Sequence, residues 1–306
     1  MMRSRPRQQS FCLIAASLFL HIVWIPPSMV VLFAMAGTSL AAEKTADPEA
    51  PAEKEAARAR QMESMTARAE RVVVRRLEAG KGKVEPLNPQ PLFRYNDEPR
   101  AILDGSIWSW PAQGRPVVLQ KVELYDVPKG RPKWFFCAAS LSEDLVEMTS
   151  AGGIVWVSAK PGVEMRPLPD APEAVESAIG RSVLMKSIAR RFSITESDPP
   201  IQIVQQMRLL SRPLHRYSDP GSGIVDGAIF GFATNGTNPN FLLLIELTGA
   251  DASHGTWRYG LARMTLLQLN VRLDEAEVWS VPYVAPRGPG RPSRFDTWAF
   301  SREPKE

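Results

Sequence analysis

The sequence predicts an α+β fold dominated by antiparallel sheet. Two tandem homologous β-meander units pack with pseudo-two-fold symmetry, one helix intervenes, and one separable helix precedes them. Three observations lead there. Residues 91–114 and 213–236 are identical at ten of 24 ungapped positions. Both stretches continue into β-rich runs separated by turn residues. Between them lies a segment with helical periodicity.

The start of the 306-residue chain stands apart. Arg3, Arg5 and Arg7 precede an apolar run from Phe11 to Ala36, and Ser39-Leu40-Ala41-Ala42 follows. A basic start, an apolar stretch and small residues at a cleavage site make a secretory signal over residues 1–42, cut after Ala41 or Ala42. The alternative is an uncleaved membrane anchor over residues 11–36, since the run approaches the ~20 residues that span a bilayer. His21 and Pro26-Pro27 interrupt it. Three of the 37 Lys and Arg lie before position 42, and none of the 33 Asp and Glu. The remainder therefore carries 34 basic against 33 acidic residues, and the overall basic charge gives no reason to expect a nucleic-acid partner. Of two cysteines only Cys137 lies beyond the signal. Within Trp134-Phe135-Phe136-Cys137-Ala138 it reads as a buried thiol.

Residues 43–85 read as a linker and an amphipathic helix. Ala52 to Ala79 is rich in Ala, Glu, Arg and Met, and Met62, Met65, Ala69, Val72 and Val73 recur at helical steps. Gly80 ends it, and residues 80–91 read as linker.

The first β unit spans residues 86–168 and the second 209–302. Pro91-Leu-Phe-Arg-Tyr-Asn-Asp matches Pro213-Leu-His-Arg-Tyr-Ser-Asp, and Ile102-Leu-Asp-Gly-Ser-Ile matches Ile224-Val-Asp-Gly-Ala-Ile. After a one-residue insertion near Arg115, Pro116 matches Pro239, Glu123-Leu124 matches Glu246-Leu247, and Trp134 matches Trp257. Ala139 then matches Ala262, and Val155-Trp156 matches Val278-Trp279. Self-similarity at this length marks a duplicated unit. Pro128-Lys129-Gly130 and Asn235-Gly236 supply turns. Residues 169–208 hold the connecting helix and a loop. There Asp170-Ala-Pro-Glu173 places an N-cap before a helix over 170–194, whose apolar face is Val175, Ile179, Val183, Leu184, Ile188 and Phe192. Residues 282–294 read as a Pro-, Gly- and Arg-rich loop.

No residue pattern identifies a catalytic, cofactor or metal site. Beyond the signal the histidines are His215 and His254. His215 matches Phe93, a packing position, and His254 lies in a hairpin loop. The duplicated polar set comprises Arg94, Tyr95, Asp97 and Asp104, matched by Arg216, Tyr217, Asp219 and Asp226. Such acids could bind Ca²⁺ or form a carboxylate pair between the units. The simpler reading is structural: Asp-Gly is a turn signal, and each Arg pins its own unit by bonding a local acid or carbonyl. Paired aromatics such as Trp108/Phe230 and Trp110/Phe232 read as core.

Pro91–Pro116, Phe136–Ser142, Leu209–Pro239 with Leu242–Glu246, and Ala262–Met264 resemble a family of uncharacterised exported proteins of planctomycete bacteria. The resemblance covers most of residues 86–281. It implies an envelope or extracellular location and carries no site. Family members have Asp-Pro-Glu where this chain has Asn238-Pro239-Asn240, which argues against an essential carboxylate pair at that turn. The expected function is a non-catalytic envelope or extracellular binding or assembly module without cofactor. Its partner would be an envelope protein or polysaccharide, with a possible membrane tether through the N-terminal segment. The alternative is a hydrolase using carboxylates from the two repeats.

Overall fold

Strands dominate because β-branched and aromatic residues are concentrated in short runs between turns. The structure is a computed structural model, and it describes residues 51–303 except 79–80, 129, 151–152 and 286–292. The expected signal or anchor at 1–42 lies outside the described residues. Among those described, no helix is long and apolar enough to cross a membrane.

The first half runs α1 (Pro51–Glu70), β1 (Val73–Glu78), β2 (Lys81–Glu85), β3 (Phe93–Asp97), β4 (Ile102–Trp110), β5 (Val118–Tyr125), β6 (Lys133–Ser140), β7 (Leu145–Ser150) and β8 (Gly153–Val157). A two-residue bridge, β9 (Arg166–Pro167), leads to the second half. That half runs α2 (Ala178–Ala189), β10 (Phe192–Asp198), β11 (Ile203–Gln206), β12 (Arg208–Leu209), β13 (His215–Asp219), β14 (Ile224–Ala233), β15 (Phe241–Thr248), β16 (Thr256–Arg263), β17 (Gln268–Leu273) and β18 (Ala276–Val281). A C-terminal hairpin, β19 (Ser293–Arg294) and β20 (Trp298–Arg302), ends the described chain.

Among the described residues all strand pairs are antiparallel. One six-stranded sheet has the order β19-β20-β6-β5-β4-β3. The other has β12-β14-β15-β16-β9, with β13 also on β14. Two four-stranded sheets have the orders β2-β1-β7-β8 and β11-β10-β17-β18. The register of β3 on β4, with Tyr95 opposite Gly105 and a shift before Asp97, recurs in β13 on β14, with Tyr217 opposite Gly227 and a shift before Asp219.

Period-two alternation sorts the side chains into layers. Ile107, Leu119, Ile229, Leu242 and Leu244 meet in a central core shared by the two six-stranded sheets. On the outer face of the first sheet, Trp108, Trp110, Val118 and Val122 pack with Met65 of α1 and with Val74 and Met148 of a four-stranded sheet. On the outer face of the second, Phe230, Phe232, Leu243 and Ile245 pack with Ile188 of α2 and with Ile194 and Val271. Both faces of β15 are therefore covered, and Phe241–Leu247 reads as one apolar run broken only by Glu246.

Several expectations from sequence change here. The first helix ends at Glu70. Val72-Val73-Val74 leaves it because three successive β-branched residues suit a strand better, and β1 pairs with β7. The supposed linker at 80–91 contains β2. The preceding helix α1 packs against the first sheet, with Met65 and Ala69 fully buried.

The connecting helix covers only 178–189. Asp170 sits in the left-handed region at φ 46°, so it cannot adopt the extended backbone of an N-cap. Ser177 caps instead, its Oγ accepting from the Gly180 N–H. Phe192 belongs to β10, and Ile179 and Val183 lie exposed. The repeat boundaries also do not coincide with sheets. β20 from the chain end pairs with β6 in the first half, and β9 pairs with β16 in the second.

If α1 is part of the cooperative fold, Met65→Ala will cost about 2–5 kcal/mol, the range for a fully buried methionine. Urea unfolding of the full chain measures this. A change near zero would mark α1 as an independent arm.

Candidate functional site

Alternation also fixes where the recurring polar residues go. In the first half Arg94, Asp104 and Ser106 share a parity with Trp108, which places them on the outer face beside α1. Tyr95, Gly105 and Ile107 face the central core. The Arg94 Nε donates to Asp104 Oδ1 at 2.9 Å, Nη2 donates to Oδ2, and Nη2 also reaches the Arg58 carbonyl of α1 at 2.9 Å. In the second half the Arg216 Nε donates to Asp226 Oδ1 at 3.0 Å. Its Nη2 donates to Oδ2 and to the Ala178 carbonyl of α2 at 2.7 Å. Each arginine thus clamps a carboxylate bidentately and ties a helix to its sheet. Arg181 adds a second cation on Asp226 at 2.8 Å.

Asp104 and Asp226 are thereby kept apart. They lie on opposite outer faces and line different cavities, of about 300 and 570 Å³ respectively. Burial raises the cost of ionising Asp226, but Arg216 and Arg181 outweigh it and hold its carboxyl below the ordinary value. The Asp-Gly pairs are not turns. Gly105 and Gly227 lie within strands, and a Cβ on either would fall 2.7 Å from Cε2 of Tyr95 or Tyr217. Glycine is required there because the tyrosine ring lies on the backbone.

Those tyrosines lead to buried charges that were not singled out from the sequence. Tyr95 Oη donates to Glu123 Oε1 at 2.7 Å, and Tyr217 Oη donates to Glu246 Oε1 at 2.6 Å. Glu123 shares the parity of Leu119, and Glu246 that of Leu244, so both point into the central core. There the halves interlock. Arg115, from the loop after β4, donates Nε and Nη2 to the two oxygens of Glu246 at 2.7 Å each. Burial opposes the Arg115 cation, but Glu246 outweighs it and holds its pKa above the ordinary value.

Lys121, only 1% exposed, reaches across to Asn238 Oδ1, to Asn240 Oδ1 at 2.9 Å and to the Met264 carbonyl at 3.1 Å. Burial lowers its pKa, partly offset by Glu123. Arg100 donates to Glu196 and to Thr234, and Asn240 Nδ2 donates to the other Glu196 oxygen at 2.7 Å.

Asp97 and Asp219 take part in this interlock by contact. A Cβ on Gly236 would lie 2.7 Å from Asp97 Cγ, and one on Gly114 3.5 Å from Asp219 Oδ2. The loop after β14 thus touches the first half where the loop after β4 touches the second. Burial raises the Asp97 carboxyl, against Arg100 and Lys121.

His215 stacks on Tyr217 as Phe93 stacks on Tyr95, with centroids 5.7 and 6.0 Å apart. His254 is exposed, with Nδ1 3.0 Å from Asp251, while neighbouring Ser253 donates to Glu176. Cys137 is buried, which pushes its thiol up to about 12. Among the described residues no group of three or more His, Cys, Asp or Glu is placed to hold a metal ion. The chain matches no protein-family model, no curated protein and no solved structure.

Two outcomes follow. Arg115→Met leaves Glu246 buried with Tyr217 as its remaining donor, and unfolding in urea is expected to show a loss of about 3–5 kcal/mol. The Asp226 pair makes its full contribution above the ordinary value of 3.8 and loses it as pH falls through the lower folded-state value. The stability gap between wild type and Asp226→Asn should therefore be wide at neutral pH and shrink in acid. A gap independent of pH would contradict the ion-pair account.

Proposed function

We propose that this chain is an exported, non-catalytic binding or assembly module of the bacterial envelope or exterior, built by tandem duplication. The α-β-β-meander order, the matched sheet orders and the matched Arg–Asp and Tyr–Glu contacts support duplication of one unit that begins at each helix. The resemblance to exported planctomycete proteins and the signal-like residues 1–42 support the location. Its partner would be an envelope protein or polysaccharide.

The observation that carries the non-catalytic reading is the disposition of the duplicated carboxylates. Asp104 and Asp226 are each closed by their own arginine, which also holds a helix carbonyl, and they open into separate cavities. A glycosidase-like pair would need both acids across one cleft, roughly 5–10 Å apart, with one proton-bearing.

The full chain, expressed from its own N-terminus in a Gram-negative host, is expected in the periplasmic or envelope fraction. Its first residue should be Ala42 or Glu43. Purified, it should turn over chromogenic glycosides and peptides no faster than buffer. Turnover abolished in Asp104→Asn or Asp226→Asn would replace the module reading with the hydrolase one. A cytoplasmic, uncut chain would remove the exported one.

A further inference from the structure

The second half differs from the first along one strand edge. In the first half β20 covers β6 over five positions, from Phe135 to Ala139. The matched strand β16 is covered by β9 only at Arg258 and Tyr259. Beyond that bridge, Leu261, Ala262 and Arg263 line a cavity of about 540 Å³. Its other walls are the connector at 160–166, Trp279 of β18 and the C-terminal hairpin through Phe295 and Trp298. This volume lies within the ~300–1,000 Å³ of small-molecule sites.

Arg263 is the unusual residue in that wall. The matched residue in the first half is Ser140. Arg263 is 5% exposed, yet among the described residues no carboxylate pairs with it. Its Nε, Nη1 and Nη2 donate to the carbonyls of Thr265, Pro282 and Leu267 at 2.9, 3.0 and 2.7 Å. A guanidinium has five N–H groups, so one on each terminal nitrogen has no partner among the described residues.

The guanidinium also stacks on Trp298, 4.6 Å from the ring centroid, and Trp298 in turn stacks on Phe295 at 4.2 Å. Burial lowers the Arg263 pKa to about 10, an effect that the more distant Cys137 and Glu196 offset only in part. A buried cation held by neutral carbonyls retains an unmet demand for a counter-charge. The acids at the rim cannot supply it, because Asp296 pairs with Lys160 and Glu164 with Arg166.

We infer that this cavity binds a small anion with a planar apolar body, of the aryl carboxylate class. Arg263 faces the carboxylate, and Trp279 flanks the ring, while Trp298, held between Arg263 and Phe295, orients the guanidinium. Two free N–H groups suit two carboxylate oxygens. Aromatic walls suit a flat apolar body. The assignment goes beyond the module reading and is independent of it, because a turnover assay does not report on it.

The test is a titration of the full chain with benzoate, phenyl phosphate and neutral benzamide, read by tryptophan fluorescence and melting temperature. Benzoate is expected to give saturable quenching and a higher melting temperature, and benzamide neither. Arg263→Met should weaken benzoate by roughly tenfold or more, the scale of a lost charged hydrogen bond. If Arg263→Met does not fold, Trp279→Leu decides, again with roughly tenfold weakening expected from the lost ring contact. No saturable effect of benzoate on the folded wild type would overturn the site. So would equal affinity for benzamide, or an affinity unchanged in the deciding variant. Binding of phenyl phosphate without benzoate would overturn the carboxylate assignment.

Discussion

The structure depends on how a fully buried glutamate is neutralised. Glu246 lies in the middle of the apolar strand β15 and faces the central core. An isolated carboxylate there is prohibitively costly. Tyr217 from its own sheet supplies one hydrogen bond, and Arg115 from the other half supplies the charge. The second sheet is thus complete only when the first half's loop is seated on it. Lys121 imposes the reverse condition, because its ammonium lies in the first sheet while its acceptors lie at Asn238, Asn240 and Met264.

This reciprocity explains why two six-stranded sheets meet in one arrangement. Ile, Leu and Met surfaces tolerate small slides at little cost, since their contacts are non-directional. A bidentate Arg–Glu pair and an ammonium with three acceptors do not, because displacement leaves a charge buried without a partner. The outer Arg–Asp clamps act at a different level. Each fastens a helix to its own sheet and has no reach across the core. Local closure and mutual docking are therefore carried by different residues, although Tyr95 and Tyr217 immediately follow Arg94 and Arg216 in sequence.

Much of the layout was legible in the sequence because alternation and self-similarity survive without coordinates. Strand runs such as Val117–Tyr125 and Phe241–Leu247 were visible as β-rich stretches. Arg94, Asp104, Arg216 and Asp226 stood out because they recur at a fixed offset. The charged core did not stand out, since it is mostly unpaired between the halves. Lys121 matches Leu244, and Arg115 lies at the insertion point. The informative signal was a charged residue in mid-strand with the parity of core leucines, as at Lys121, Glu123 and Glu246. Helix ends failed for local reasons. Asp170 has capping chemistry but left-handed backbone, and Val72-Val73-Val74 continues the helical spacing while preferring a strand. That β20 would cross back onto β6 had no local signature, because strand partnership over such a separation is decided by which edge is open.

The matching of positions between the two halves also bears on where recognition can reside. Several residues matched in both halves hold each half together: arginine with aspartate, tyrosine with glutamate, glycine beneath the ring. Positions that differ are free of that duty. Some, such as Lys121 and Arg115, bind one half to the other. Arg263 does a little of both, since it also stacks on Trp298 of the hairpin that joins the first sheet. It binds carbonyls of its own half, and it stands where a covering strand in the first half gives way to open space in the second. A buried guanidinium without an ion-pair partner carries a desolvation cost that neutral carbonyls meet only in part. The proposed ligand, a negative charge that arrives after folding, would offset that cost.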